Sequence, residues 1–312
     1  MEIVSGTEIR IEGQPVFLFG DTGYDHLYFV RVDTDGSETV LRGYPSGALG
    51  TGDVIFEYSV PIAESADYRP LEDRDLVGST VLDLGGRSVD AVWHLMNQHA
   101  RVLEDAQITY GPFLDNSNSA AASLLHVVGI DVSENLPDQR GRTDSYIGTA
   151  SILDRTGFRL DGTGEDDLIF GARQGDVFAG NDGNDTISGQ AGGDDLSGGA
   201  GIDFLNGGWG HDNLTGGAGA DRFYHAGHAG HGSDWIADFS SEQSDVLLVG
   251  TTADASRFQV NFTTTEGRGD NAIEEAFVIW RPTGTILFAL SDGGELDEIW
   301  LRSENGNFDL LA

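Results

Sequence analysis

The sequence predicts an α+β N-terminal module, then a right-handed parallel β-roll, which is a solenoid of short stacked strands, and a C-terminal β cap. A nine-residue pattern repeats seven times between Asp161 and Tyr224, and such units must stack because no single unit can bury its apolar face. Segments of ordinary globular composition precede the repeats, and strand-like segments follow them. The predicted boundaries are 1–132 for the module, 133–158 for a linker, 159–225 for the roll and 226–312 for the cap.

The N-terminal module is expected to contain both strands and helices. Strands are predicted where β-branched and aromatic residues cluster, and helices where apolar residues recur at helical spacing. The expected strands are Glu8–Ile11, Val16–Gly20, His26–Val32, Thr39–Arg42 and Val54–Ser59, with a hairpin turn at Asp33–Gly36. The expected helices are Val89–Glu104 and Ser119–Val128, and Gly129 ends the second.

The repeats follow the pattern Gly-Gly-x-Gly-x-Asp-x-apolar-x. Glycines permit a tight, partly left-handed turn that side chains would forbid, and the apolar eighth position points inward to form the core. We place the unit starts at Asp161, Gly171, Gly180, Gly189, Gly198, Gly207 and Gly216, with Phe170 as one extra residue between the first two. The eighth position then holds Leu168, Phe178, Ile187, Leu196, Leu205, Leu214 and Phe223.

The sixth position of each unit carries an aspartate, and these carboxylates predict a calcium solenoid. Two units complete one coil, so aspartates of alternate units stack on the same side and would repel one another without a cation. Calcium takes 6–8 oxygen ligands, which paired carboxylates and turn carbonyls supply, and five same-side pairs predict up to about five ions. An acidic disordered linker is the alternative that composition alone favours, but the constant phase over seven units argues against it. The predicted ligands are Asp166, Asp176, Asp185, Asp194, Asp203, Asp212 and Asp221.

This segment resembles the RTX (hemolysin-type) repeats of bacterial proteins exported by type I secretion. The resemblance implies calcium ions and the type I secretion machinery as partners, and a secreted, extracellular location. It also implies a chain that is disordered in the low-calcium cytosol and folds after export. The units at Asp161 and Gly171 depart most from the pattern.

Composition restricts the partners of the chain. The formal charge is −35 over 312 residues, which excludes general binding to nucleic acid or anionic membranes and favours cations. All 17 basic residues are Arg, and Cys is absent, so neither disulfides nor thiolate metal sites are available.

The two ends of the sequence bear on export. The N-terminus lacks the cationic and apolar regions of a secretory signal peptide. The final residues, ENGNFDLLA, look like the uncleaved C-terminal signal of type I substrates, and equally like a last β-strand. No run approaches the ~20 apolar residues that span a bilayer.

A catalytic pair is a second hypothesis for the N-terminal module. His26 starts a predicted strand and Ser117 precedes a predicted helix, an order that resembles circularly permuted papain-like (NlpC/P60-related) hydrolases, with Ser in place of their Cys. The resemblance implies an amidase, peptidase or esterase in which Ser117, or else Ser119, is the nucleophile and His26 the base. The alternative is that the polar residues Asp115–Ser119 only cap the helix.

Histidines recur after the last repeat. His225, His228 and His231 are spaced by three residues in HAGHAGHG, which could present imidazoles to zinc or copper. The intervening glycines favour a solvated connector. In the flank that follows, Asp238 and Asp245 are expected to serve capping turns or one further calcium ion.

Overall fold

The computed structural model describes residues 7–17, 21–47, 51–65, 78–109, 117–137, 156–228 and 230–312. The chain divides into two compact units, Met1–Arg155 and Thr156–Ala312.

The N-terminal unit contains one antiparallel sheet. Its five strands lie in the order β4-β3-β2-β1-β5. Pairs such as Ile11↔Phe29 and Phe29↔Leu41 bury apolar side chains on one face. The predicted turn is confirmed, since Gly36 N donates to Asp33 O at 2.8 Å and Gly36 has a φ of 80°. The strands are β1 Glu8–Phe17, β2 Asp21–Val32, β3 Glu38–Gly47, β4 Thr51–Pro61 and β5 Gly78–Val81.

Two helices pack on this sheet, α1 (Val89–Asp105) and α2 (Ser117–Val127). Ser88 caps α1, because its Oγ accepts from Ala91 N at 3.0 Å. Gly129 ends α2 at a φ of 67° while Ile130 N donates to Leu125 O, a glycine-dependent helix stop. Both predicted helices are confirmed within two residues at each end. No helix in the described ranges is long and apolar enough to cross a membrane.

The second unit contains the predicted β-roll. Strands of one sheet pair in parallel in the order β6-β8-β11-β14-β16, and strands of the other in the order β7-β9-β12-β15-β17. Leu196 pairs with Phe178 and Leu214, one coil of 18 residues away on each side. The strands are β6 Arg159–Asp161, β7 Leu168–Phe170, β8 Val177–Asp182, β9 Thr186–Ser188, β10 Ala191–Gly192, β11 Asp195–Ala200, β12 Phe204–Asn206, β13 Trp209–Gly210, β14 Asn213–Ala218, β15 Arg222–His225, β16 Asp234–Ile236 and β17 Val246–Val249.

The structure corrects the register of the first repeat. Ile169 pairs with Ile187 and is fully buried, whereas Leu168 pairs with Thr186 and is half-buried. The unit therefore begins at Gly162, and Phe170 is its ninth residue instead of an extra one. The adjacent pairs Asp166-Asp167 and Leu168-Ile169 offer two registers one residue apart, and only one residue of each pair can face the core.

The strand stacking continues beyond the repeats. β20 pairs in parallel with β16, and β21 pairs in parallel with β17. Antiparallel pairs then close both sheets, formed by β18, β19 and β20 in one and by β21 and β22 in the other. The β structure expected after Phe258 is confirmed as β18 Phe258–Thr263, β19 Glu275–Trp280, β20 Thr285–Leu290, β21 Trp300–Ser303 and β22 Gly306–Asp309.

Candidate metal centre

Two rows of aspartates lie inside the turns of the roll. Each strand begins just after its sixth-position aspartate, so the turn holds the carboxyl group next to the first residue of the strand. Six of these side chains are at most 1% exposed, although charged residues are rarely this buried without a partner. They are Asp176, Asp185, Asp194, Asp203, Asp212 and Asp221.

One carboxyl oxygen of each aspartate joins successive coils. The Oδ1 of Asp203 accepts a hydrogen bond from the backbone N of Asp185, and Asp221 does the same for Asp203. The Oδ1 atoms of Asp194 and Asp212 repeat the arrangement in the other row. These N···O distances are 2.7–2.9 Å. These hydrogen bonds hold each carboxyl group in its turn, and the second oxygen, Oδ2, takes no part in them.

In five consecutive units the second oxygen is buried and has no hydrogen-bond partner among the residues that the structure describes. Burial, the largest cause, raises the pKa of Asp185 and Asp194 to about 7 and that of Asp203 to about 6, and neighbouring carboxylates raise it further. A buried acceptor without a donor costs about 1–3 kcal/mol, more when charged. A bound cation removes this cost. The orphaned atoms are the Oδ2 of Asp185, Asp194, Asp203, Asp212 and Asp221.

The first glycine of a unit leaves room for this second oxygen. A Cβ at Gly198 would overlap Oδ2 of Asp203 and would lie 2.7 Å from the carbonyl oxygen of Gly216 in the next coil. Gly180 and Gly189 are placed in the same way against their own aspartates. Carboxylate and carbonyl oxygens thus converge where side chains are excluded, and these hard oxygen donors fit calcium.

The first two units differ from the others. Asp167, not the predicted Asp166, occupies the first sixth position, since its backbone N donates to Asp185 Oδ1 at 2.8 Å and it is 4% exposed. Asp166 is exposed and accepts from Asn184 N at 2.7 Å. Thr163 N donates to Asp167 Oδ2, and Ala172 N donates to Asp176 Oδ2. Local donors therefore satisfy an oxygen that stays orphaned in the later units.

Two aspartates beyond the repeats extend the rows, and the pattern of nine did not reveal them as members. Asp245 Oδ1 accepts from Asp221 N at 2.9 Å, and Asp234 precedes Trp235, which pairs with Asn213 directly after Asp212. Their spacings are 24 and 22 residues instead of 18, so insertions hide them from a fixed period. The signal that remains is an aspartate directly before a short apolar strand. Asp238 caps a turn as expected, because its oxygens accept from the N atoms of Gly216 and Gly217.

Comparison with known proteins identifies the repeats. The family model of the RTX calcium-binding nonapeptide repeat (4 copies) matches residues 161–196 and 188–223. Residues 161–223 are RTX calcium-binding repeats. Among solved structures, the R3 subunit of a mannuronan C5-epimerase from Azotobacter vinelandii is 24% identical over 45% of this chain and 73% of that chain, with a TM-score of 0.22. No curated protein matches the chain significantly in sequence.

The RTX repeats form a calcium-binding β-roll, as the residue pattern predicted. The aspartates with an orphaned oxygen are the residues that would hold the ions, together with carbonyl groups of the glycine turns. Calcium would supply positive charge to oxygens that have no donor in the part of the chain that the structure describes. Counted with the corrected register, Asp167 pairs with Asp185, so the predicted five same-side pairs remain, and Asp245 beside Asp221 adds one more.

The predicted catalytic pair is only partly within the described residues. His26 is half-buried in β2, and the side chain of Ser117 lies outside the described residues. Asn118 Oδ1 accepts from Leu27 N at 2.8 Å, so the start of α2 is joined to the strand that carries His26. Ser119 is fully buried and therefore inaccessible to a substrate. None of the comparisons supports a papain-like module, and the hydrolase hypothesis stays a prediction.

The interpretation of the histidines as a solvated connector is wrong for two of them. His225 is 0% exposed and His231 is 4% exposed, whereas His228 is exposed. Their rings contact one another and the ring of Trp209, at 4.4 Å between the His225 and His231 centroids and 5.2 Å between Trp209 and His228. Burial, as the largest cause, lowers the pKa of both buried histidines to about 4.

Proposed function

We propose that this protein is secreted, that its β-roll folds on extracellular calcium, and that the roll carries the N-terminal unit as an effector or binding module. The observation that supports the proposal is the set of five buried carboxylate oxygens, in two rows, that have no hydrogen-bond partner among the described residues. In the absence of a cation these groups oppose folding. Calcium binds the folded turns and not the unfolded chain, so its binding free energy becomes folding free energy.

The calcium concentrations on the two sides of a bacterial membrane make this dependence useful for export. A chain that needs about 10⁻⁴–10⁻³ M calcium, the range of extracellular modules, would remain unfolded in the cytosol. An unfolded chain can be threaded through a secretion channel, and it would fold on arrival. The type I secretion machinery is the proposed partner.

The test is a calcium titration of the full chain followed by an export assay. We expect far-UV circular dichroism to report a cooperative gain of β structure between micromolar and millimolar calcium, with magnesium as the control cation. Co-expression with a type I exporter should then release the intact chain into the medium, and an exporter without ATPase activity should not. Full β structure in the presence of a calcium chelator would contradict calcium-dependent folding, and export in the absence of the exporter would contradict the route.

A second candidate function is hydrolysis by the N-terminal unit with Ser117 as nucleophile and His26 as base. The hydrogen bond between Asn118 and Leu27 favours it, because it holds the first turn of α2 beside the strand of His26. A helix N-terminus offers backbone N–H groups and a dipole to a developing oxyanion. Labelling of the calcium-loaded protein by a fluorophosphonate probe should be lost in Ser117→Ala and in His26→Ala. Equal labelling of all three proteins, or none of the wild type, would reject this candidate.

A further inference from the structure

The turn between β15 and β16 is longer than its counterparts in the repeats. Regular spacing would place the aspartate that follows Asp221 nine residues later, but the structure places Asp234 in that role, four residues beyond the regular position. The longer turn carries two of the three clustered histidines of the chain, His228 and His231. The insertion therefore interrupts an otherwise regular solenoid, and the same turn brings imidazole groups to that place.

Two imidazoles and one carboxylate meet inside this turn. His225, His231 and Asp234 each offer one ligand atom, and these atoms all lie within 4.8 Å of one another. The three side chains are 0%, 4% and 0% exposed, respectively. Zinc–ligand bonds of about 2.0–2.2 Å place the donors of a tetrahedral site about 3.3–3.6 Å apart, so these side chains would need to close by no more than about 1.5 Å around a single ion.

Two of the three side chains have polar atoms without a protein partner. Among the described residues, no hydrogen-bond partner exists for either carboxyl oxygen of Asp234 or for the Nδ1 of His231. A fully buried carboxyl group with two orphaned oxygens is costly unless it is paired or coordinates a metal. By comparison, the Oδ1 of seven other buried aspartates of the roll accepts a hydrogen bond from a backbone N of the preceding coil; they are Asp176, Asp185, Asp194, Asp203, Asp212, Asp221 and Asp245.

We propose that His225, His231 and Asp234 bind one divalent transition-metal ion of the zinc type, as a site separate from the calcium sites of the repeats. Two histidine nitrogens and one carboxylate oxygen are a common zinc donor set, whereas calcium prefers oxygen ligands alone. The site does not depend on the proposed export or on the N-terminal unit.

His225 already has part of the environment that a metal-bound histidine needs. Its Nε2 lies 3.2 Å from the carbonyl oxygen of Gly232, and its Nδ1 accepts from Gly227 N at 2.9 Å. A metal ion at Nδ1 would keep the Nε2–H bond to the carbonyl, which is the usual outer-shell partner of a ligating histidine. The Gly227 N–H would then have to rotate away from Nδ1. Gly227 has a φ of 77°, which lies in the left-handed region that glycine adopts without strain.

The test measures zinc bound to the full chain, without a histidine tag, in millimolar calcium. We expect one zinc ion per chain to remain after dialysis, determined by plasma mass spectrometry. We expect His225→Gln and His231→Gln each to weaken zinc binding at least about a hundredfold, since even outer-shell partners are worth about 10–100-fold. The matched control is His228→Gln, which changes an exposed histidine of the same turn and should retain the ion.

Two results would overturn the site. Unchanged zinc stoichiometry in both buried-histidine variants would show that zinc binds elsewhere, and loss in His228→Gln alone would show binding by a solvated loop. If a variant fails to fold, as judged by its calcium-saturated circular dichroism, cobalt in the wild type decides the question. A visible cobalt band that resists excess calcium supports the site, and a band that calcium abolishes assigns the position to calcium. Calcium-induced folding is measured separately, so either proposal can fail alone.

Discussion

The two units of this chain treat buried carboxylates differently. In the N-terminal unit the buried Glu12 accepts from Tyr28 Oη at 2.8 Å, and Arg42 pairs with Glu57 at 2.7 Å. In the repeats of the roll, five buried aspartates each keep their Oδ2 without a partner among the described residues. Side chains of the chain itself therefore pair these carboxylates of the first unit, whereas those of the roll are left to cations. Stability in the second unit is therefore set by the solution as much as by the sequence.

Removal of calcium is expected to separate the two units most strongly. With a chelator, peptides from residues 156–312 should lose their protection against hydrogen exchange, and peptides from 78–109 and 117–137 should keep theirs. Each ion at about 100 times its dissociation constant contributes ~2.7 kcal/mol, so the loss of about five ions removes ~13 kcal/mol, as much as the ~5–15 kcal/mol stability of a typical domain. Protection that persists throughout the roll in the chelator would show that the orphaned oxygens do not control its folding.

Within the roll, a substitution in a glycine turn tests whether a buried carboxyl group needs the space that the glycine leaves. In Gly198→Ala the new Cβ would overlap the carboxyl group of Asp203, so the turn or the carboxylate must move. We expect a loss of about 2–4 kcal/mol in calcium-saturated stability, within the range of strained or overpacked sites. Gly164→Ala is the control, because nothing lies within 4 Å of its Cβ position. Equal denaturation midpoints for the two variants would contradict the crowding of the turn.

Adjacent aspartates in β11 and its turn provide a matched pair for the ligand assignment. Asp194 is 0% exposed with an orphaned oxygen, whereas the next residue, Asp195, is exposed and accepts from Asn213 Nδ2 at 2.6 Å. Asp194→Ala should raise the calcium midpoint about tenfold or more, equivalent to ~1.4 kcal/mol, and Asp195→Ala should change it less than about twofold. Circular dichroism during calcium titration measures both. A larger shift for Asp195→Ala would refute the assignment of buried ligands.

The smallest effect is expected from pH in the N-terminal unit. Burial, followed by the charge of His126, lowers the pKa of His99 to about 3, whereas an unfolded histidine titrates near pH ~6.5. The unfolded state binds the proton more tightly, so stability that is present above pH ~6.5 is lost as the pH falls. From pH 7.5 to 5.5 the loss is about 1.4 kcal/mol.

Calorimetry in saturating calcium can check this value. The unfolding transition to follow is that of the N-terminal unit, which is recognised because a chelator leaves it unchanged. His99→Leu should remove most of the pH dependence between pH 7.5 and 5.5. His94→Leu, at an exposed position of the same helix, should retain it. A pH slope that is the same in His99→Leu and in the wild type would assign the proton uptake to another group.

The repeats were predictable because one rule recurs in them at a fixed spacing. The period predicted the parallel stacking, and it placed the inward residue and the buried aspartate correctly in six of the seven units, while the role of these aspartates as calcium ligands stays a prediction. It failed in the first unit, where Asp166-Asp167 allowed two registers. It also missed Asp234 and Asp245, since insertions change the coil from 18 residues to 22 and 24. These positions depend on the end of the solenoid and not on the repeat.

Other features depend on contacts that a local pattern does not contain. The hydrogen bond from Leu27 N to Asn118 Oδ1 joins residues 91 positions apart. The burial of His225 and His231 depends on packing against residues such as Phe288, whose ring lies 5.6 Å from that of His225. Glycine-spaced histidines therefore had the composition of a solvated loop although their side chains are in the interior. The short β5 lacks any apolar alternation and forms only because β1 offers it an edge.

Because the hydrogen bonds repeat every 18 residues along each row, each inner aspartate belongs to two neighbouring calcium sites of the proposal. Asp203 faces Asp185 on one side and Asp221 on the other, so an ion bound in one site fixes a carboxylate of the next site. Such a row behaves as a one-dimensional lattice with nearest-neighbour coupling. Its titration curve should be steeper than that of independent sites. A defect at an inner position breaks two couplings and divides the lattice into shorter segments, whereas the same defect at the end of a row removes only one.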